Sequence, residues 1–312
     1  MSNKKNCVVI CGPTASGKTH LAVQLSLLFN GEIISADSRQ VYRGMNIGTG
    51  KDLNEYSTNR GNIDVHLIDI RDPLEVYTLY HFKQDFFTVL NQIHTRNRLP
   101  FLTGGTGLYI ESILRNFDIP QIPENVEFRN QYMAKEKADL IEELRNRSPE
   151  LYGRTDLSSK KRVVRALEIA LFPPAEVVID KSSISVKKLN PVVLCTRWER
   201  STLYGRIDKR LNERIDIGMI DEVKTLLDSG VPAERLVQFG MEYKHIVHYL
   251  KNIVSLEKMI SLLKTDIHQL AKRQETWFRG MERRGVPLIW IDNADCKTAE
   301  EVLKKELSRV SH

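Results

Sequence analysis

The sequence predicts an α/β fold, a parallel sheet flanked by helices, with a small helical insertion domain. Three observations predict it. Gly12-Pro13-Thr14-Ala15-Ser16-Gly17-Lys18-Thr19 matches the phosphate-loop pattern G-x-x-x-x-G-K-[ST] at every fixed position. Short apolar runs alternate with stretches of helical periodicity around that loop. From Arg115 to about Lys181 the character changes to charged and helix-prone, which interrupts the alternation.

Cys7-Val8-Val9-Ile10, just before the loop, reads as a buried parallel strand. After the loop, Leu21, Ala22, Leu25, Leu28 and Phe29 recur at helical spacing. A strand, a Gly-containing turn and a helix N-terminus gather backbone N–H groups and the positive end of a helix dipole around one small volume. That volume suits a phosphate or diphosphate. Lys18 adds a point charge, and the Thr19 hydroxyl is placed to hold magnesium (Mg2+). The expected fold is therefore P-loop NTPase-like. Ile33 and Ile34 end a second strand, and Asp37 lands beyond its carboxyl end, where open α/β sheets bind ligands. An Asp there also serves as a cap or turn residue. Tyr42 to Lys51, with Gly44, Gly48 and Gly50, reads as an irregular loop. Asp64 to Ile70 reads as another buried strand, whose Asp69 is either a metal-organising acid or a strand-end cap. Tyr80 to Leu90 is helical, with Phe82, Phe86 and Val89 on one face. Pro100-Phe101-Leu102 gives a further strand, followed by a second Gly-rich turn, Thr103-Gly104-Gly105-Thr106-Gly107. Both turns and Asp37 are expected to open onto one crevice.

Pro120 and Pro123 mark a break, so residues 1–114 and 183–312 are expected to form the core and 115–182 the insertion. Residues 125–147 are helix-prone. A further helix carries Lys160-Lys161-Arg162-Val163-Val164-Arg165-Ala166-Leu167-Glu168, with Ser158 or Ser159 as its cap and Pro173-Pro174 as its end. Its positive charges are either a solvated face or a polyanion contact. Val192 to Cys195 returns to strand. In the next helix Leu203, Ile207, Leu211 and Ile215 form a buried stripe beside a basic one of Arg206, Arg210 and Arg214. Those arginines either pair with Asp208 and Glu213 or hold a polyanion. Leu256 to Arg284 is a long amphipathic helix in which Lys272, Arg273 and Arg279 mix with Trp277 and Phe278, two aromatics assigned to the core. Pro287 to Ile291 is a last strand and 298–310 a last helix. His245 and His248 read as structural histidines.

A length of 312 residues allows one main domain with a smaller insertion. No apolar run approaches the ~18–20 residues that span a bilayer, and no signal-type stretch opens the chain. A cytoplasmic location without a membrane partner is expected. The four cysteines form no C-x-x-C pair and are expected to be reduced. The net charge of +6 favours a polyanionic partner.

Taken together, the motifs resemble the tRNA dimethylallyltransferases, also called tRNA isopentenyltransferases. The residues that carry the resemblance are the phosphate loop, Ile34-Ser35-Ala36-Asp37-Ser38-Arg39-Gln40-Val41-Tyr42, Ile47-Gly48-Thr49, and Asp69-Ile70-Arg71-Asp72-Pro73. Gly104-Gly105-Thr106-Gly107-Leu108-Tyr109, the Lys161 to Glu168 segment and Gln269 to Arg279 complete the set, in the family's order.

The resemblance implies transfer of the dimethylallyl group of dimethylallyl diphosphate to the exocyclic amine of the adenosine 3′-adjacent to the anticodon. It implies that Asp37 is the base and that Thr106 touches the target nucleotide. Arg206 would join Lys18, the loop amides and magnesium at Thr19 in stabilising the leaving diphosphate. The tRNA anticodon stem-loop would be held by Asp37 to Gln40, Thr106, Arg129, Lys161, Arg162, Val163, Val164 and Arg165. Gln238, Gly240, Tyr243, Lys244, Lys272, Arg273 and Gln274 would extend that surface, and the protein would act as a monomer.

The chain departs from the family's pattern at three places. Gly48-Thr49-Gly50-Lys51-Asp52 stands for the usual Gly-Thr-Ala-Lys-Pro. Phe172-Pro173-Pro174 replaces a Gly-containing stretch, and Gly240-Met241-Glu242-Tyr243-Lys244 stands for Gly-Tyr-Lys. A small-molecule kinase, a transferase acting on free adenine nucleotides and a non-catalytic RNA-binding protein are the competing readings.

Overall fold

Strand β1 (Cys7–Cys11) is buried along its whole length. The computed structural model describes residues 5–122, 124–172 and 189–308. These residues fall into two compact units divided at 117/118 and 185/186. Pro123, Pro173, Pro174, residues 175–182 of the expected insertion and residues 309–310 of the expected last helix lie outside the described residues.

In the larger unit the phosphate loop follows β1 and leads into α1 (Lys18–Leu28), whose Leu21, Ala22 and Leu25 are fully buried. Leu28, expected on the same face, is the helix's last residue and is exposed. Strand β2 (Gly31–Ser35) is followed by a short hairpin of β3 (Ser57–Thr58) and β4 (Gly61–Asn62), then by β5 (Val65–His66). The strand expected over Asp64 to Ile70 is thus only two residues long. Leu67 and Asp69 adopt left-handed φ values of 64° and 54°, which no strand accommodates. The N–H groups of Asp69 and Ile70 turn instead to the carbonyls of Gln40 and Val41. Asp69 itself pairs with the buried Lys51, whose ammonium also donates to Tyr42 O and to Asn46 Oδ1.

Helix α2 (Leu79–Thr95) starts at Thr78, whose hydroxyl accepts from the N–H of His81 while His81 Nδ1 accepts from the N–H of Thr78. This reciprocal cap fixes the first turn, and Phe82, Phe86, Leu90 and Ile93 bury one face. Strand β6 (Leu99–Gly104) and α3 (Gly107–Leu114) follow.

After the smaller unit come β7 (Pro191–Arg197), α8 (Arg200–Asp216), α9 (Met219–Asp228), α10 (Ala233–Gln238) and α11 (Met241–Leu250). The chain closes with α12 (Leu256–Arg283), β8 (Leu288–Asp292) and α13 (Cys296–Ser308). Met259, Leu263, Ile267, Ala271 and Phe278 are the buried stripe of α12; their spacing is that of one helical face.

The sheet has six strands in the order β5-β2-β6-β1-β7-β8, all parallel. Cys11 sits level with Gly104 on one side and Cys195 on the other. The carboxyl ends of β1, β6 and β7 therefore open at one edge, where ligands bind in open α/β sheets. Among the described residues no helix is long and apolar enough to cross a membrane.

Among the described residues the smaller unit packs four helices, α4 (Val126–Ala134), α5 (Lys137–Arg147), α6 (Pro149–Arg154) and α7 (Lys160–Leu171). Its core is Phe128, Leu140, Leu144, Leu151, Val163, Val164, Ala166 and Leu167. Ser159 takes the cap position of α7 but makes no side-chain cap bond, and Ser158 just upstream donates its N–H and its hydroxyl to Asp156. Glu168 is fully buried and accepts from Arg129, Arg165 and the Asn125 N–H. Burial alone would raise its carboxyl, but those donors outweigh burial and hold it below the usual range. This arrangement corrects part of the expected RNA surface. The Val163 and Val164 side chains are core, and Arg129 and Arg165 bind Glu168 within their own unit.

Glu168→Ala would leave two guanidiniums without their shared anion, a loss worth about 3 kcal/mol for a buried pair. Hydrogen exchange should show α4 and α7 opening while β1 and β6 keep their protection. Unchanged protection in α7 would contradict this account.

Candidate active site

The phosphate loop is shaped from outside. Ser16 Oγ and Thr196 Oγ1 lie 2.7 Å apart, and Thr196 also donates to Cys11 O at 3.3 Å. A Cβ on Gly12 would lie 2.0 Å from Thr196 Oγ1, so only glycine admits this contact. Trp198 Nε1 donates to Ser16 O at 2.8 Å, Arg206 Nε to Ala15 O at 2.8 Å and Lys18 Nζ to Pro13 O at 3.2 Å. The Arg206 guanidinium also stacks 4.4 Å from the Trp198 ring centroid. With these carbonyls held by side chains, the N-terminus of α1 is left to meet an anion.

Two cavities adjoin the loop. One of about 480 Å³ is lined by Thr14, Lys18 and Thr19 together with Asp37 and Thr106. The other, of about 410 Å³, reaches Ala15, Gly17 and Arg206. Lys18, Thr19, Arg210 and Arg214 line both. The first has the size of an ordinary small-molecule site. Burial, and then the Arg210 charge, pushes Lys18 down to about 8.

Asp37 sits in a tight turn: its Oδ1 accepts from the Arg39 N–H at 2.9 Å. Among the described residues its other oxygen has no hydrogen-bond partner. Thr106 Oγ1 accepts from the Ser38 N–H at 3.1 Å, and the Thr106 N–H donates to Ala36 O at 3.3 Å. The ends of β2 and β6 are thereby stitched together, and the Thr106 hydroxyl proton is left to donate into the cavity. Gln40 donates to Gly50 O at 3.0 Å and accepts from Ser35 Oγ at 3.2 Å.

Gln274 is a clamp. Its Oε1 accepts from the Thr14 N–H at 2.8 Å and its Nε2 donates to Gly105 O at 2.9 Å. Expected as an RNA contact, it instead ties the two Gly-rich turns together, as Gln40 ties its own segment. Arg273, Gly240 and Tyr243 also line the first cavity, although Tyr243 is only 1% exposed. Its hydroxyl donates to Glu222, whose carboxylate also collects the N–H groups of Asn46, Ile47 and Gly48 at 2.6–3.0 Å. Tyr243 therefore braces the 46–48 loop. Gln238, Lys244 and Lys272 are exposed on α10, α11 and α12, away from the cavity lining. In the smaller unit Lys161 is exposed and Arg162 pairs with Asp156.

Sequence reasoning missed four contributors. Trp277, assigned to the core, is 36% exposed in the first cavity's wall, while Phe278 is fully buried. Tyr56, Phe239 and Glu242 also line that cavity. Burial raises Glu242 above its ordinary value. Trp277 follows the basic Lys272-Arg273 pair on one helix, which was the one available signal. The pairings expected for the α8 arginines also differ: Arg210 pairs with Asp52, while Asp208 meets His268 and Glu213 meets Lys209. His245 is satisfied at Nε2 by Asp266 at 2.7 Å.

The model of the IPP transferase family matches residues 40–281, and the isopentenyl transferase model matches residues 5–68. The chain belongs to the IPP transferase family. It is 45% identical over 289 residues to the tRNA dimethylallyltransferase 2 of Syntrophotalea carbinolica, covering 93% of this chain and 95% of that one. It resembles the solved tRNA isopentenylpyrophosphate transferase of Bacillus halodurans at 33% identity and a TM-score of 0.69, with 97% of each chain covered. A eukaryotic dimethylallyltransferase acting on tRNA shares the fold at a TM-score of 0.76 and 24% identity, over 96% of this chain and 77% of that one.

In this family member the depressed Lys18 gives a pH signature. A bound diphosphate favours the ammonium, so binding takes up a proton wherever free Lys18 is neutral. The Lys18 contribution to pyrophosphate affinity, read as the affinity ratio of the unaltered protein to Lys18→Ala so that the ligand's own ionisation cancels, should be flat below pH 8 and fall by up to ~tenfold per pH unit above it. Calorimetry on both proteins from about pH 7 to about pH 9.5 reads this out, and a constant ratio across that range would refute it.

Proposed function

We propose that this IPP transferase moves the dimethylallyl group of dimethylallyl diphosphate to the exocyclic amine of the adenosine 3′-adjacent to the anticodon in tRNA. The observation that carries this reading is one cavity that joins the phosphate loop to Asp37 and Thr106. Family membership supports the reaction class.

The exocyclic amine of adenine is a weak nucleophile because its lone pair is delocalised into the ring. As its nitrogen bonds to the prenyl carbon, it must lose a proton, and the free oxygen of Asp37 accepts it. Thr106 holds the turn that presents Asp37 and keeps a donor proton for the base. The carbon–oxygen bond breaks and the diphosphate leaves whole, gaining charge as it goes. Lys18, the α1 N-terminus and Arg206 stabilise that charge. Trp277 offers an apolar face to the base, which must leave its stack at the expense of ~a few kcal/mol.

The residues fit a magnesium ion that arrives with the diphosphate. The Thr19 hydroxyl has no partner among the described residues, and no cluster of three acids, histidines or cysteines forms a separate metal site there. Magnesium typically keeps waters and binds substrate phosphates beside one or two protein ligands. When bound it neutralises charge on the leaving group. Arg39, Lys161, Arg162, Lys244, Lys272 and Arg273 are the cations proposed to meet the RNA backbone, with the 115–182 insertion contributing Lys161 and Arg162.

Purified protein given labelled dimethylallyl diphosphate and an adenosine-containing anticodon stem-loop should yield labelled RNA. Absence of transfer together with ATP hydrolysis would sink the reading. Asp37→Ala should lower kcat by ~10²–10⁴-fold, the usual range for a general base, with diphosphate affinity kept. Lys18→Ala should weaken both. Normal transfer by Asp37→Ala would remove the assigned base.

A further inference from the structure

Arg214 is the unexplained charge of this site. Its Nε is buried without a hydrogen-bond partner. Of the acids around it, Asp52 pairs with Arg210, and Glu242 forms no ion pair among the described residues. Arg214 as a whole is half-buried, and a guanidinium nitrogen held out of water without a partner is unfavourable. Burial, and then the like charge of Arg210, pushes Arg214 down to about 10.

The fold nevertheless makes room for it. A Cβ on Gly50 would lie 1.7 Å from Arg214 Nη2, and Gly50 adopts a φ of +67°. Gly50 is also where the chain departs from the family's usual alanine. The slot and its occupant thus come together in this chain. Arg214 lines both cavities, and so do Lys18, Thr19 and Arg210.

We propose that Arg214, seated in the slot left by Gly50, is a direct ligand of the diphosphate held by the phosphate loop. The proposal rests on reading that loop as a diphosphate cradle. The charge balance argues for it. Arg210 is neutralised by Asp52, so among the α8 arginines lining both cavities Arg214 is the one without a counter-ion. A planar guanidinium pairs with two oxyanions of one phosphate group in a fork geometry. An RNA phosphate is the other source of the same chemistry. It is disfavoured because the residues Arg214 shares between the cavities include Lys18 and Thr19 of the phosphate loop.

The test uses the full chain, inorganic pyrophosphate and an anticodon stem-loop. Arg214→Met should weaken pyrophosphate binding about tenfold, as expected for a lost charge-assisted bond, and leave stem-loop affinity unchanged. Its melting temperature without ligand should rise, because a guanidinium nitrogen buried without a partner is gone, while the stabilisation given by pyrophosphate shrinks. Gly50→Ala, which displaces the guanidinium while keeping it in the chain, should also weaken pyrophosphate. Arg214→Lys should restore part of the affinity. Unchanged pyrophosphate affinity in Arg214→Met, or a fall in stem-loop affinity as large as that for pyrophosphate, would overturn the proposal. Failure of the unaltered protein to bind pyrophosphate would instead remove the diphosphate reading itself.

Discussion

The larger unit depends on the parallel pairing of β1 with β6 on one side and β7 on the other. Backbone hydrogen bonds set Cys11 level with Gly104 and with Cys195. That register brings three loop starts to one height. The phosphate loop, the Gly104–Gly107 turn and Thr196 then touch without any long excursion of the chain. A shift of one residue would turn the buried side chains of β1 to the opposite face. The site is therefore only as well placed as the sheet's register, which is held by the backbone pairing of β1 and β6, buried along all of β1 and from Pro100 to Gly104 in β6.

Much of this was legible in the sequence. Cys7 to Ile10, Ile33-Ile34, Pro100 to Leu102 and Val192 to Cys195 are apolar runs bounded by turn residues, and each is a strand. The phosphate loop and the second Gly-rich turn are fixed patterns with one backbone solution, so their position at strand ends could be read directly. Asp64 to Ile70 could not, because its pattern is strand-like and only tertiary pairing diverts it. The N–H groups of Asp69 and Ile70 find acceptors on residues 40 and 41, and two left-handed residues follow from that. The RNA surface was the least legible part. A basic residue in sequence does not announce its partner. Arg129 and Arg165 turn inward to Glu168, whereas Lys161, on the same helix as Arg165, stays in solvent.

The phosphate loop taken alone suggests phosphoryl transfer or triphosphate hydrolysis. Its surroundings favour a different use. A carboxylate with one free oxygen, a threonine with a free donor proton and an indole face share its cavity. Those groups have no obvious task on a phosphorus centre. They suit an amine that must lose a proton and a planar base that must be held. In the proposed reaction the loop is a cradle for a leaving group, and its strength lies in the charge it can accept at the moment a carbon–oxygen bond breaks.

The polar side chains of the site divide into two sets by what they touch. Gln274, Gln40, Glu222, Trp198 and Thr196 each bind backbone atoms of a loop. They immobilise the loops and have little hydrogen-bonding capacity left for a substrate. Asp37, Thr106 and Arg206 bind backbone with one atom and keep another free. Thr19 and Arg214 form no ion pair or side-chain hydrogen bond among the described residues, and the Glu242 carboxyl meets only its own backbone N–H. Geometry makes this division, and residue type does not: Glu222 and Glu242 lie on neighbouring helices with opposite roles. In the proposed reaction a substrate meets the second set, and the first set holds that set still. Because a loop amide satisfied by a side chain stays satisfied when the substrate leaves, the cradle needs no rebuilding between turnovers, which is the physical meaning of preorganisation at this site.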